Sequence, residues 1–128
     1  MCSSDLLAGC DGGTHASSGI VPGLTRGIYD AVRDGRVDEA FGLQRTLVEI
    51  FDPLIQCPDF PEGFRVAAEV CGFKMGQSRQ PATEGQVAER QKLAERIREK
   101  LEAVGVVTPP KAPGGSRWDD AIHHDQRG

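Results

Sequence analysis

The chain has 128 residues and a formal charge of −4, with 38 % hydrophobic and 27 % charged residues and a pI near 5.3. That length holds one domain or part of a larger one, and the acidic balance argues against a general nucleic-acid binder, which needs clustered Lys and Arg. No apolar run reaches the ~18 residues of a membrane span, and no basic n-region precedes an apolar core at the N-terminus, so the expected setting is cytoplasmic, without a membrane partner.

In chain order, Asp5-Leu6-Leu7-Ala8-Gly9 reads as the last turn of a helix with its glycine stop. The stretch from Cys10 to Val21 is dense in Gly and Ser. It reads either as a flexible loop or as a short buried strand, where small residues let backbones approach closely. Pro22 suits the first position of a helix in which Leu24, Ile28 and Val32 share a face flanked by Tyr29 and Ala31, and Asp34-Gly35 closes it. A second helix is predicted from about Val37 to Gln56, with Phe41, Leu47, Val48, Phe51 and Leu54 or Ile55 buried and a kink or early end at Pro53.

Asp59-Phe60-Pro61-Glu62 opens a third helix, with Phe64, Ala67, Ala68 and Cys71 as its apolar side before Gly72. Met75 to Ala82 is a turn-rich connection. Thr83-Glu84-Gly85-Gln86 then has the capping-box pattern, and the helix it starts runs to Val104 and Gly105. Its stripe is Val87, Leu93 or Ala94, Ile97, Leu101 and Val104; Glu95–Arg98 and Arg98–Glu102 are spaced to pair on its solvated faces. Five acidic and five basic residues between Glu84 and Glu102 balance, which favours a surface helix over a calmodulin-type or nucleic-acid helix. From Thr108 the Pro/Gly-rich composition predicts a disordered tail to Gly128, containing Trp118 and His123-His124.

Cys2, Cys10, Cys57 and Cys71 form no CxxC pair, so they read as scattered reduced thiols, and no metal or other cofactor is expected. Gly12-Gly13 lacks the Lys and Ser/Thr ending of a phosphate-binding loop. A single strand followed by helix after helix leaves ladder hydrogen bonds unmet, which points to partner strands outside this chain.

The order of motifs resembles the C-terminal part of the dihydrodipicolinate synthase/N-acetylneuraminate lyase family. Gly9-Cys10-Asp11-Gly12-Gly13-Thr14-His15-Ala16-Ser17-Ser18-Gly19-Ile20-Val21-Pro22 is similar to the family's last barrel strand and the turn after it. Ile28-Tyr29-Asp30-Ala31, Asp34-Gly35 and Asp38-Glu39-Ala40 match its next helix, glycine turn and helix start. Phe64 to Phe73 and Arg79-Gln80-Pro81 resemble its short helix and Arg-x-Pro stretch; the likeness runs from Leu6 to Val104.

The resemblance implies an α/β fold, the end of a (β/α)₈ barrel plus extra C-terminal helices, in a chain that is itself mostly helical with one short strand. Residues 1–21 would hold the end of a barrel helix and the last strand, 22–36 a barrel helix, 37–107 the helical extension and 108–128 the tail. It implies a homotetrameric class I aldolase or lyase, whose lysine on the sixth strand forms a Schiff base with pyruvate or another 2-oxo acid and whose tyrosine on the fifth strand shuttles protons. An early-strand motif would bind the carboxylate. A whole barrel takes about 250 residues. Lys74, Lys92, Lys100 and Lys111 follow no strand, and Tyr29 falls within a helix, so this chain is expected to be inactive alone, cut from its barrel portion by truncation, frameshift or incomplete gene assembly.

What the chain would contribute is one strand's share of the active-site rim, with Thr14, His15 and Ala16 nearest the substrate. Alternation would put Thr14 and Ala16 on one face and His15 on the other. By the resemblance, Thr14 matches a barrel-facing position beside the lysine, His15 departs from the usual serine, and Gly19 stands where asparagine is frequent. Two readings of His15 stand side by side: a hydrogen bond to a polar substrate tail, or packing against the helix layer. Two rivals to the lyase fragment are a free-standing helical interaction module and an accessory chain completing a split barrel.

Overall fold

Helix boundaries in this chain follow its glycines and prolines. The computed structural model describes residues 3–107, and the expected tail, with Lys111, Trp118 and His123-His124, lies outside the described residues, as does Cys2. Helix α1 (Ser3–Leu7) ends where the Gly9 N–H bonds the Leu6 carbonyl with Gly9 at φ +100°, a conformation that only glycine adopts without strain. Helix α2 (Pro22–Arg33) starts on the expected proline and stops at Asp34, and helix α3 (Val37–Ile55) passes Pro53 to end two residues later. That proline sits in the last turn, where its missing N–H forfeits only one ladder bond. Helix α4 (Glu62–Val70) and helix α5 (Glu84–Ala103) complete the fold.

The α/β expectation holds only in its helical part: among the described residues there is no strand. Residues 10–15 form no ladder, and a 3₁₀ turn, Ala16–Gly19, follows where the strand was expected to continue. A strand is defined by a partner, and no second extended segment lies beside this one in the described chain.

One core joins all five helices. Ile28, Ile50, Leu54, Ile97 and Leu101 are fully enclosed, each stabilising the fold by about 1.5–3 kcal/mol through removal from water. Leu6, Leu47, Phe51, Val66, Val70 and Leu93 surround them. On α3, Leu47, Phe51 and Leu54 are buried as expected and Ala40 and Ile50 join them, while Phe41 and Val48, expected inside, face out, as does Ile55. On α4, Val66, Ala67 and Val70 are buried and Phe64, Ala68 and Cys71 only half-buried. On α5 the stripe begins at Leu93, leaving Val87 exposed in the first turn.

The capping box forms as expected: Thr83 Oγ1 accepts from the Gln86 N–H, and Gln86 Oε1 accepts from the Thr83 N–H. The expected Glu95–Arg98 and Arg98–Glu102 pairs do not close. The pairs on α5 among the described residues are Lys92–Glu89 at 3.1 Å, Arg90–Asp59 at 3.0 Å and Arg90–Glu62 at 3.6 Å. None of the described helices is long and apolar enough to cross a membrane.

Candidate functional site

Residues 10–15 carry two adjacent glycines and no large apolar side chain; the Cys10 N–H bonds the Asp5 carbonyl, and the residues from Asp11 to Thr14 are exposed. His15 is extended, at φ −154° and ψ 148°, and heads the 3₁₀ turn. Two serines make the turn, as their hydroxyls can bond nearby backbone. Ser18 Oγ donates to the His15 carbonyl at 2.9 Å, and Ser17 Oγ lies 3.1 Å from His15 Nδ1. With Nδ1 unprotonated the Ser17 hydroxyl donates to it; with Nδ1 protonated the hydroxyl accepts. The Ser17 carbonyl accepts from Ile20 N–H and Val21 N–H, which leads the chain into α2.

Ser17 is buried, His15 half-buried, and Thr14 and Ala16 are exposed. His15 and Ala16 line an open cleft of about 250 Å³ with Ser17, and Thr14 does not. The rest of the cleft is largely apolar: Leu47, Val48, Phe51 and Ile55 from α3 and Phe64 from α4, with Gln44 and Asp52 as its polar members. A predicted strand brings Thr14, His15 and Ala16 to the rim in alternation. In the structure His15 lines the cleft and Ala16 begins a 3₁₀ turn, which a strand register cannot anticipate.

A family model described as the Dihydrodipicolinate synthetase family matches residues 1–100 of this 128-residue chain. The chain belongs to that family. Comparisons with curated proteins and with solved structures each returned no match.

Membership places the chain in an aldolase-like family. Its described lysines and tyrosine are placed elsewhere. Lys92 pairs with Glu89, Lys74 is exposed between α4 and α5, Lys100 is half-buried in the last turn of α5, and none of the three lines the cleft with His15. Tyr29 accepts from Arg33 at 3.0 Å, and the guanidinium carbons of Arg26 and Arg33 each lie 5.7 Å from its ring centre. These contacts give it a packing and charge-shielding place on α2.

Sequence reasoning missed a second polar cluster, since its members come from three separate segments. Asp59 accepts from Arg90 and from Gln86 Nε2, while Glu62 accepts from Arg65 at 3.1 Å and from Ser78 Oγ at 3.0 Å. Arg65 in turn donates to the carbonyls of Met75 and Gly76. The only legible signal was the Glu62–Arg65 spacing of three on a helix. A cavity of about 630 Å³ adjoins the cluster, whose acids and bases pair across α4, α5 and the 75–78 connection while Arg90 Nε stays buried without a hydrogen-bond partner. Among the described residues no three His, Cys, Asp or Glu side chains converge as metal ligands.

Proposed function

We propose that this chain is the C-terminal portion of a pyruvate-dependent, Schiff-base aldolase or lyase, supplying one segment of the active-site rim and the helical extension behind it. The observation that carries this reading is the family match over residues 1–100, joined to the motif order from Gly9 to Pro81. In the whole enzyme a lysine of the barrel portion attacks the 2-oxo group, and the iminium formed takes up the electron pair as the carbon–carbon bond breaks or forms. Residues 10–21 stand for the last barrel strand, which orders only beside its neighbours. Thr14, His15 and Ala16 then lie at the rim nearest the substrate, with Ser17 beside the imidazole of His15.

On this reading the isolated chain does no aldol chemistry, and the complete enzyme is a cytoplasmic homotetramer of (β/α)₈ barrels. The nucleotide sequence ahead of the Met1 codon tests it. A tyrosine-bearing strand and then a lysine-bearing strand, in the same or a shifted frame, are expected; an unrelated coding region would count against the proposal. A second reading, a free-standing helical module, draws on one observation: the five helices share a single core.

A further inference from the structure

Val87, Gln91, Ala94 and Arg98 recur on α5 at steps of four, three and four residues, which sets them on one face. That face, part of α4 and the connection from Gly76 to Ala82 line the cavity of about 630 Å³. No lining residue comes from α3 or from residues 10–21, the elements that the proposed function sets beside barrel strands. Arg98 on the α5 wall and Glu69 on the α4 wall are exposed, and neither is in an ion pair among the described residues. Val66, Val70 and Ala94 give the same cavity an apolar lining.

We infer that a later segment of this chain, Arg117-Trp118-Asp119-Asp120, docks across this cavity, with the Trp118 indole inside it, Asp119-Asp120 at Arg98 and Arg117 at Glu69. The charges match in order: a base precedes the indole and two acids follow it, and the walls offer a free acid on α4 and a free base on α5. A segment crossing from α4 to α5 pairs both, and the opposite crossing sets like charges together. A cavity of about 150 Å³ suffices for a benzene ring, so the larger one takes an indole. Covering a tryptophan removes about 150–250 Å² from water, and Trp118 is the chain's single one.

The end of α5 delivers the chain to this place. Gly105 takes φ +71°, and the N–H groups of Val106 and Val107 bond the Leu101 carbonyl, so the chain reverses at the end of the helix on which Arg98 lies. The eleven steps from Val107 to Trp118 span at most about 36 Å, more than the ~30 Å length of α5, so the indole reaches the cavity with slack. Docking uses only residues of this chain and is independent of the aldolase reading.

Tryptophan fluorescence of the full chain reads Trp118 alone. Its emission is expected to lie blue of that in urea, and acrylamide to quench it several-fold less efficiently than in the urea-unfolded chain, equally at all protein concentrations. Arg98→Glu should raise quenching to the unfolded level while far-UV circular dichroism stays helical. Adding Asp119→Arg and Asp120→Arg to it should restore the protection. A natural chain whose Trp118 is quenched as freely as in urea would overturn the inference. So would protection that survives Arg98→Glu, protection that the triple variant does not recover, or protection that appears only as concentration rises, the mark of an indole covered by another molecule.

Discussion

Gly63 lies so close to Leu54 that a Cβ added to the glycine would come within 2.3 Å of the Leu54 carbonyl oxygen. This contact sets how tightly α4 turns back on the end of α3, and backbone rather than a flexible side chain is what stands in the way. Gly63→Ala is therefore expected to destabilise the fold by about 1–3 kcal/mol, the usual cost of forcing extra atoms into a packed site. Urea unfolding followed by circular dichroism measures it. An unchanged midpoint would mean that the two helices can separate freely.

Arg90 ties α5 to the start of α4, donating to Asp59 and lying 3.6 Å from Glu62, with the arginine and Asp59 side chains each only 18 % exposed. Pairs this sheltered fall between exposed ion pairs and fully buried ones. Arg90→Leu should cost about 1–3 kcal/mol, since Asp59 and Glu62 would lose their shared cation. Thermal unfolding at low and high salt checks this, the loss shrinking as salt rises.

The glycines and prolines made most helix ends legible, because each acts through local backbone geometry. Gly9, Gly35, Gly72 and Gly105 all take positive φ beside a helix end, and Pro22 and the Thr83 capping box open theirs as expected. What was not legible depended on the rest of the fold. Phe41, Val48 and Ile55 are as apolar as Leu47 and Ile50, so composition alone cannot say which face of α3 meets α2 and α4. The same holds for residues 10–15, where only a neighbouring strand would distinguish a ladder from a loop. Nor does the sequence single out Ser17, whose burial and contact with His15 come from the 3₁₀ turn.

The α5 cap gives a third expectation. Thr83→Ala removes one half of the capping box and should cost about 1 kcal/mol. Helicity of the whole chain would fall little, so the denaturation midpoint is the informative quantity.

Cysteine reactivity gives a fourth. Burial pushes the Cys71 thiol up from its ordinary range, whereas Cys10 is exposed. A thiol of raised pKa carries less thiolate, so Cys71 should react with a disulfide reagent more slowly than Cys10 at mildly alkaline pH, as read by mass spectrometry of the labelled peptides. Because the folded chain holds this proton more tightly than the unfolded one, the stability it contributes is complete below the ordinary thiol range and declines as pH rises from that range through the raised folded value. Cys71→Ser should flatten this part of the stability profile.

The most direct measurement is the intact mass of the purified chain after incubation with pyruvate and borohydride. The account predicts no change, because the proposed reading assigns the imine-forming lysine to the barrel portion. A reduced pyruvate adduct on Lys74, Lys92 or Lys100 would contradict it and make this chain a Schiff-base catalyst in its own right.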